Sequence, residues 1–210
     1  MGKSTAATML SQMTIPVHDS DAEVHRLLAQ DEQTRLALAA QFPFYRYMSI
    51  YGAKNKNGIR GFNRKKLGKL VFENPKEREK LEKILHPLVR KSQDDFMRIQ
   101  RNNGADIIAL DIPLLFETAA DQRVDYTITI SAPAFIQQSR VLSRPNMSKA
   151  KLASILKTQM SDAEKCARSD FVVPSGLGKA HMMKALKQII FDLRHKSDDM
   201  DESTGDLYAQ

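Results

Sequence analysis

Residues 106–112 form a nearly continuous apolar run, Asp-Ile-Ile-Ala-Leu-Asp-Ile, preceded by Asn103-Gly104 and followed by Pro113. A strand without polar alternation has no solvent face, so it must be covered on both sides, as parallel strands in α/β sheets are. Helical patterns supply that cover. Shorter β-prone runs at 14–18, 126–131 and 169–174 alternate with them, and the longest helical segments lie between the second strand and residue 106. The reading is an α/β fold of three layers around a parallel sheet. At 210 residues, without an internal repeat or an interdomain linker, the chain has the size of one large domain with a subdomain or lid.

The first helical pattern, residues 3–12, begins at Gly2-Lys3-Ser4-Thr5. Gly-Lys-Ser-Thr is the closing half of a phosphate-binding loop, in which backbone N–H groups face phosphate oxygens, the Lys neutralises them and the Ser hydroxyl reaches Mg²⁺. The opening half of the motif and the strand that feeds it do not appear in the sequence. A plain helix N-terminus with small polar residues is the competing reading. Asp19 and Asp21 follow the run at 14–18, at the strand edge where open α/β sheets bind ligands. Asp19 or Ser20 capping the next helix is the local alternative. Asp111, at the end of the apolar run, is placed to hold Mg²⁺ directly or through water.

Residues 43–62 lack periodicity and mix Tyr45, Tyr47 and Tyr51 with Arg46, Lys54, Lys56 and Arg60. They read as a long loop, either binding a base or phosphate or simply solvated. Asn63 should cap a helix ending at Glu73-Asn74-Pro75. A long helix follows, with a kink or break expected at Pro87; His86 beside it reads as a packed or capping residue, with catalysis the alternative. Pro133 suits the first turn of a helix that carries Arg140 and leads to Arg144. These two arginines are either surface residues or a mobile basic turn closing over a nucleotide. Ser148 should cap the next helix, Ser161-Asp162-Ala163-Glu164 reads as a capping box, and an amphipathic helix is expected over 177–195.

The 32 Lys and Arg against 25 Asp and Glu give a formal charge of +7. Five of the acids, Asp198, Asp199, Asp201, Glu202 and Asp206, lie after Ser197 with no Lys or Arg among them, so the body is more basic than the total. Such a body attracts polyanions, and the acidic tail is expected to be disordered. No apolar run approaches the roughly 18 to 20 residues of a membrane span. Ala6 breaks the myristoylation pattern and no secretory signal is visible, so the cytoplasm is the expected compartment. A single cysteine, Cys166, excludes an internal disulfide and a multi-cysteine metal site and reads as a half-buried helix residue.

The landmarks Gly2-Lys-Ser-Thr5, Asp19-Ser-Asp21 with His25, Arg64-Lys-Lys-Leu67 leading to Val71-Phe-Glu-Asn-Pro75, Ile84-Leu-His-Pro-Leu-Val89, Leu110-Asp-Ile-Pro-Leu-Leu-Phe-Glu117, Arg140-Val-Leu-Ser-Arg144 and Gln159 together resemble dephospho-CoA kinase. The resemblance runs from residue 1 to about 195; its most specific pieces are His86-Pro87 and Asp111 to Glu117. It implies a three-layer α/β/α P-loop kinase-like fold over 1–196, with a helical acceptor-binding region at about 21–104, a short lid at about 140–150 and a tail at 197–210. It also implies an ATP- and Mg²⁺-dependent kinase that phosphorylates the ribose 3′-hydroxyl of dephospho-CoA, the last step of CoA synthesis; a small-molecule substrate is the expected partner, with no membrane and with nucleic acid not expected.

Carried onto this chain, the resemblance makes Asp21 the base for the 3′-hydroxyl and Asp19 its support on the substrate side. Lys3 and Arg140 act on the transferred phosphoryl group. Gly2, Lys3, Ser4, Thr5, Arg140, Arg144, Pro174 and Gly176 bind ATP, and Ser4 and Asp111 hold the metal. Arg64, His86, Leu114, Leu115 and Glu117 face the acceptor. Two features depart from the family pattern: the first strand with the opening glycines, and Pro174-Ser175-Gly176 where the family usually has an Asn near the adenine. Two alternatives remain, an impaired polyanion- or nucleotide-binding protein and another small-molecule P-loop kinase.

Overall fold

A computed structural model describes residues 2–54, 60–143, 145 and 147–205. In chain order the elements are α1 (Lys3–Gln12), β1 (Val17–Asp19), α2 (Ser20–Gln30), α3 (Glu32–Gln41), β2 (Tyr51–Lys54), β3 (Arg60–Phe62), α4 (Arg64–Glu73), α5 (Pro75–Asn102), β4 (Ala109–Asp111), β5 (Ile128–Ser131), α6 (Ala134–Leu142), α7 (Lys149–Thr158), α8 (Asp162–Arg168), β6 (Phe171–Pro174) and α9 (Lys179–Gly205). Short 3₁₀ turns stand at Met48–Ile50 and Ala120–Arg123. Contacts divide the chain into two compact units, Met1–Val17 with Ala105–Gln210, and His18–Gly104.

The first unit is built on helical spacing. Ala6, Met9 and Leu10 bury one face of α1, and Met182, Leu186, Ile189 and Ile190 bury one face of α9. Val173 of β6 is fully enclosed in the same core, with Ile107, Ile128, Ile130 and Phe171 packed around it. Each such side chain contributes about 1.5–3 kcal/mol on leaving water.

β5 and β6 are parallel, in the register Ile128 to Phe171 through Ser131 to Pro174. Polar contacts at both ends hold that register. Below it, Thr127 donates its N–H and its hydroxyl to Asp170, each at 2.7 Å; above it, the Ser175 N–H donates to the Ser131 carbonyl at 2.7 Å. These contacts with Thr127 hold the Asp170 carboxyl below its ordinary value.

The apolar run at 106–112, half-buried except for the exposed Asp106 and the buried Asp111, supplies a shorter strand than its composition predicts, only Ala109–Asp111. Asp106 is the reason. Its carboxylate accepts from the Ile107 N–H at 2.9 Å and pairs with Arg194 of α9 at 2.6 Å, so the start of the run is tied to a helix instead of a ladder. Ala109 then donates to the Pro16 carbonyl at 2.9 Å, beside the chain entering β1. Among the described residues the strands pair two by two, and no wider sheet joins them.

The second unit gathers α2 to α5 and the β2–β3 pair around Leu38, Phe42, Ile50 and Leu67, each 1% exposed or less. Residues 43–62 are therefore not simply a solvated loop. A 3₁₀ turn buries Ile50, β2 and β3 pair antiparallel, and the Tyr51 and Phe62 rings stack at 4.5 Å. Apolar residues of an aromatic-rich segment enter the core where periodicity alone predicted none; residues 55–59, including Lys56, lie outside the described residues.

Asn63 caps α4 as read, accepting from the Lys66 N–H at 3.1 Å. α5 runs unbroken from Pro75 to Asn102 through Pro87, so of the expected kink or break, a break does not occur. Its packing on α2, α3 and α4 compensates for the hydrogen bond that Pro87 cannot make. Two further boundaries move. Pro133 is the N-cap of α6, just ahead of its first turn. α9 passes the expected end at His195 and continues to Gly205, so the acidic stretch is helical that far; no Gly or Pro stands between Gly178 and Gly205 to stop it. Residues 206–210 lie outside the described residues.

Candidate active site

Gly2 takes the left-handed backbone conformation, φ +104°, at the N-cap of α1. A Cβ there would stand 3.1 Å from both Ile130 Cγ2 and Ser175 Cβ, so only glycine fits between the helix start and the two strand ends. Its carbonyl accepts the first helical bond, from the Ala6 N–H at 2.9 Å. The first-turn N–H groups of α1 have no intrahelical acceptors and carry the positive end of the helix dipole, as an anion site requires. The Ser4 hydroxyl is exposed at this end. Ser4 and Thr5, with Thr8, Met9, Gln12 and Lys179, line an open cavity of about 360 Å³. A larger hollow of about 580 Å³ lies along α9 between Ala180 and Phe191; residues of that helix alone line it, without converging functional groups.

Lys3 points its ammonium at Asp111, Nζ to Oδ1 at 2.6 Å. The Lys3 side chain is 40% exposed and that of Asp111 only 7%, so a buried carboxylate holds a reachable cation at the end of β4. An ammonium so held can turn from one anionic oxygen to another with little rearrangement. Asp111 and Ser4 are hard oxygen donors of the kind Mg²⁺ takes when phosphates and water complete its coordination. No cluster of three or more His, Cys, Asp or Glu occurs among the described residues.

The helix after β5 and the turn after β6 meet at Arg140, in the last turn of α6. Its guanidinium donates to the Ser175 carbonyl at 2.9 Å and to the Ser175 hydroxyl at 3.2 Å. Next to it, a Cβ on Gly176 would lie 3.1 Å from Pro133 and 3.2 Å from Ile136, so the strand-end loops pack as one surface. Pro174 closes β6 directly beneath. Ser175, only 2% exposed, is the residue here that sequence reasoning missed; a small polar residue in a turn carries no signal of a partner 35 positions away. Arg144 lies outside the described residues.

The loop after β4 is tightly folded. Leu114 has φ +55°, its carbonyl accepts from the Thr118 N–H at 3.0 Å, and the Leu115 carbonyl accepts from the Ala120 N–H at 2.9 Å. Leu114 is exposed and Leu115 half-buried. Glu117, expected on the acceptor side, has Oε1 2.9 Å from Lys165 Nζ and 3.0 Å from the Met160 N–H. Burial works to raise this carboxyl, but the Lys165 ammonium and the backbone donors outweigh it, and the group sits below its ordinary value.

In the second unit, Asp19 caps α2, its Oδ1 accepting from the Ala22 N–H at 2.9 Å, which is the local alternative the sequence offered. Asp21 stands exposed in the first turn of the same helix. Beneath that turn lies a buried polar chain that sequence reasoning did not identify. Gln93 donates to the Ser20 hydroxyl at 2.9 Å, Ser20 meets His18 Nδ1 at 3.4 Å, and His18 Nε2 meets Ser92 at 3.1 Å. Arg64 opens α4 at the surface, and His86 lies exposed on α5 rather than packed. The structure thus gathers Gly2 to Thr5 with Asp111 in one unit and Asp19 with Asp21 in the other.

Comparison with known proteins identifies the family and the fold. The family model described as dephospho-CoA kinase matches residues 1–178. A dephospho-CoA kinase of Brucella melitensis is 42% identical over 196 residues, 93% of this chain and 92% of that protein. The solved structure of TT1252 from Thermus thermophilus superposes with a TM-score of 0.72 at 28% identity, covering 91% of each chain. The dephospho-CoA kinase structure from Campylobacter jejuni, at 23% identity with 93% of each chain covered, has a TM-score of 0.67 and supports the α/β P-loop kinase fold. With a glycine-opened helix start, Lys3 paired with Asp111 and a family match over most of its length, this chain belongs to the dephospho-CoA kinase family.

Proposed function

We propose that this chain transfers the γ-phosphoryl group of ATP to the ribose 3′-hydroxyl of dephospho-CoA in the cytoplasm. The observation that carries the donor part is the Lys3–Asp111 pair at 2.6 Å in front of a helix N-terminus that only Gly2 could open. In this reading Gly2 to Thr5 cradle the phosphates, and Lys3 leaves Asp111 to neutralise oxygens that gain charge as the phosphoryl group moves. Ser4 and Asp111 hold Mg²⁺, which when bound supplies charge neutralisation at the phosphates. Arg140, Pro174 and Gly176 form the wall on the base side, and Arg140 with Arg144 belongs to a lid around 140–150.

On the acceptor part, Asp21 takes the proton of the attacking hydroxyl and Asp19 fixes the turn that presents it. Arg64, His86, Leu114 and Leu115 meet the acceptor. Phosphoryl transfer depends on positioning and charge more than on covalent catalysis, which matches a site built of cations, carboxylates and helix ends.

The test is ADP release from ATP and Mg²⁺ with and without dephospho-CoA. Acceptor-dependent release is expected. Lys3→Ala should lower kcat by roughly 10²- to 10³-fold, the usual cost of losing a group that stabilises developing charge. Asp21→Asn should lose far more turnover than Asp19→Asn. Equal losses at the two positions would remove Asp21 as the base.

A further inference from the structure

We propose that His18 and Gln93 are positioning residues for the phosphoryl transfer: the buried chain they form beneath the first turn of α2 fixes the rotation of that turn, and with it the place of the Asp21 carboxylate. This deepens the reading of Asp21 as the base for the acceptor hydroxyl and rests on it. All the residues of the chain belong to the second unit.

Positions three, four and seven apart share a helix face, so Ser20, Glu23 and Leu27 turn together toward the core while Asp21 and Ala22 face outward. Burial follows that spacing: Ser20 and Leu27 are buried, Glu23 is half-buried, and Asp21 and Ala22 are exposed. Both polar residues of the inner face are tied to α5, on which α2 packs. Gln93 Nε2 lies 2.9 Å from Ser20 Oγ, and the Ser92 hydroxyl donates to the Glu23 carboxylate, which Arg26 also holds at 2.7 and 2.8 Å. His18, in the middle of β1, stands between these two links. Its Nδ1 is 3.4 Å from Ser20 Oγ and its Nε2 is 3.1 Å from Ser92 Oγ, while Phe96 meets the ring edge-on at 5.4 Å.

The direction of each link follows from which atoms carry protons. The Gln93 amide nitrogen can only donate, so Ser20 Oγ accepts from it and gives its own proton to His18 Nδ1. Burial holds the His18 pKa below its ordinary value, so at pH 7 the ring is neutral and its one proton is on Nε2. Nε2 then donates to Ser92, and Ser92 to the Glu23 carboxylate, which Arg26 and Ser92 keep below its ordinary pKa. One arrangement of protons satisfies the whole chain from Gln93 to Glu23. His18, Ser20 and Gln93 are only 8%, 3% and 3% exposed, so bulk water does not replace a lost partner. Apolar packing alone would hold α2 against α5 with little demand on angle. Hydrogen bonds at Ser20 and Glu23, one turn apart, set its rotation, and Asp19 fixes the same turn from outside through the Ala22 N–H at 2.9 Å.

The experiment measures kcat, both KM values and the urea midpoint for wild type, His18→Phe, His18→Asn, Gln93→Met, Asp21→Asn and the double variant of His18→Phe with Asp21→Asn. Phenylalanine keeps the ring and its contact with Phe96 but neither nitrogen. Asparagine places its amide oxygen about where Nδ1 stands and keeps the acceptor for Ser20. His18→Phe and Gln93→Met should lower kcat by roughly 10- to 100-fold, the scale of a misplaced catalytic group, with both KM values within about twofold of wild type. His18→Asn should keep kcat within about threefold, although the smaller side chain lowers the urea midpoint more than His18→Phe does. Turnover and stability then rank these two variants in opposite order, which a purely structural role would not do. Added to Asp21→Asn, His18→Phe should cost no further turnover, since the turn no longer presents a base. Gln93→Met decides the matter if His18→Phe does not fold.

Wild-type kcat in His18→Phe and Gln93→Met, turnover that follows the urea midpoint through the set, or losses that add in the double variant would each overturn the positioning role and leave Asp21 as the base. Wild-type turnover in Asp21→Asn would remove the base assignment and this inference with it. A wild type without acceptor-dependent turnover would overturn the kinase reading as well.

Discussion

At Thr14 the backbone is left-handed, φ +62°, in the turn between α1 and β1, where a β-branched residue pays roughly 1–2 kcal/mol of steric strain. Its side chain is exposed and bonds only the neighbouring Met13 carbonyl, so little offsets that strain. Thr14→Gly should therefore raise stability by about 1 kcal/mol, read as a higher urea midpoint at an unchanged m-value. His18 is the opposite kind of residue, with both ring nitrogens engaged in a buried chain. Burial holds its pKa below the ordinary value, while Glu23 and Asp19 pull it upward. The unfolded chain thus binds the His18 proton more readily, so this contribution is complete above pH ~6.5 and is lost as pH falls from there through the lower folded value. His18→Gln should flatten the urea midpoint between about pH 7 and 5, and an unchanged slope would assign it to other groups. The caps at Asp19, Asn63 and Ser148 were legible in sequence because each bond spans three residues. The chain from His18 to Ser92 spans 74 positions and left no local pattern.

Among the elements, α5 departs most from its expected form, since Pro87 sits inside an unbroken helix from Pro75 to Asn102. Interior proline costs up to about 3 kcal/mol relative to alanine, and the packing that buries Leu85 and Gln93 on this helix holds it together. Pro87→Ala should raise thermal stability. If turnover falls as stability rises, the proline shapes the neighbourhood of the exposed His86 rather than the fold. The β2–β3 pair was unreadable for a related reason. Tyr51 and Phe62 meet in the tertiary fold, and the Tyr51 hydroxyl donates to the Phe42 carbonyl at 2.5 Å, neither of which a periodicity pattern registers. By contrast, the capping box at Ser161 and Glu164 is present in full as read, because all its partners lie within one turn.

Across the whole molecule, charge is the property most directly connected to function. A chain of +7 with acids concentrated after Ser197 attracts phosphorylated substrates over a distance that salt shortens. Raising ionic strength from about 0.05 to 0.3 M should raise KM for both ATP and dephospho-CoA while changing kcat little, since the Debye length falls from roughly 14 to 6 Å over that range. A fall in kcat at saturating substrate would instead place the salt-sensitive step in the chemistry. No described helix is long and apolar enough to cross a membrane. The sequence by itself determined the α/β class, the order of its elements apart from the β2–β3 pair, the helix caps and the family, because each rests on short-range periodicity or on motifs read in order. Tertiary structure alone decided that Lys3 rests on Asp111, that Arg140 is held by Ser175, and that Glu117 grips the turn before α8. Those contacts join residues 35 to 108 positions apart, and nothing in one dimension sets such pairings until the packed core has fixed where the strand ends lie.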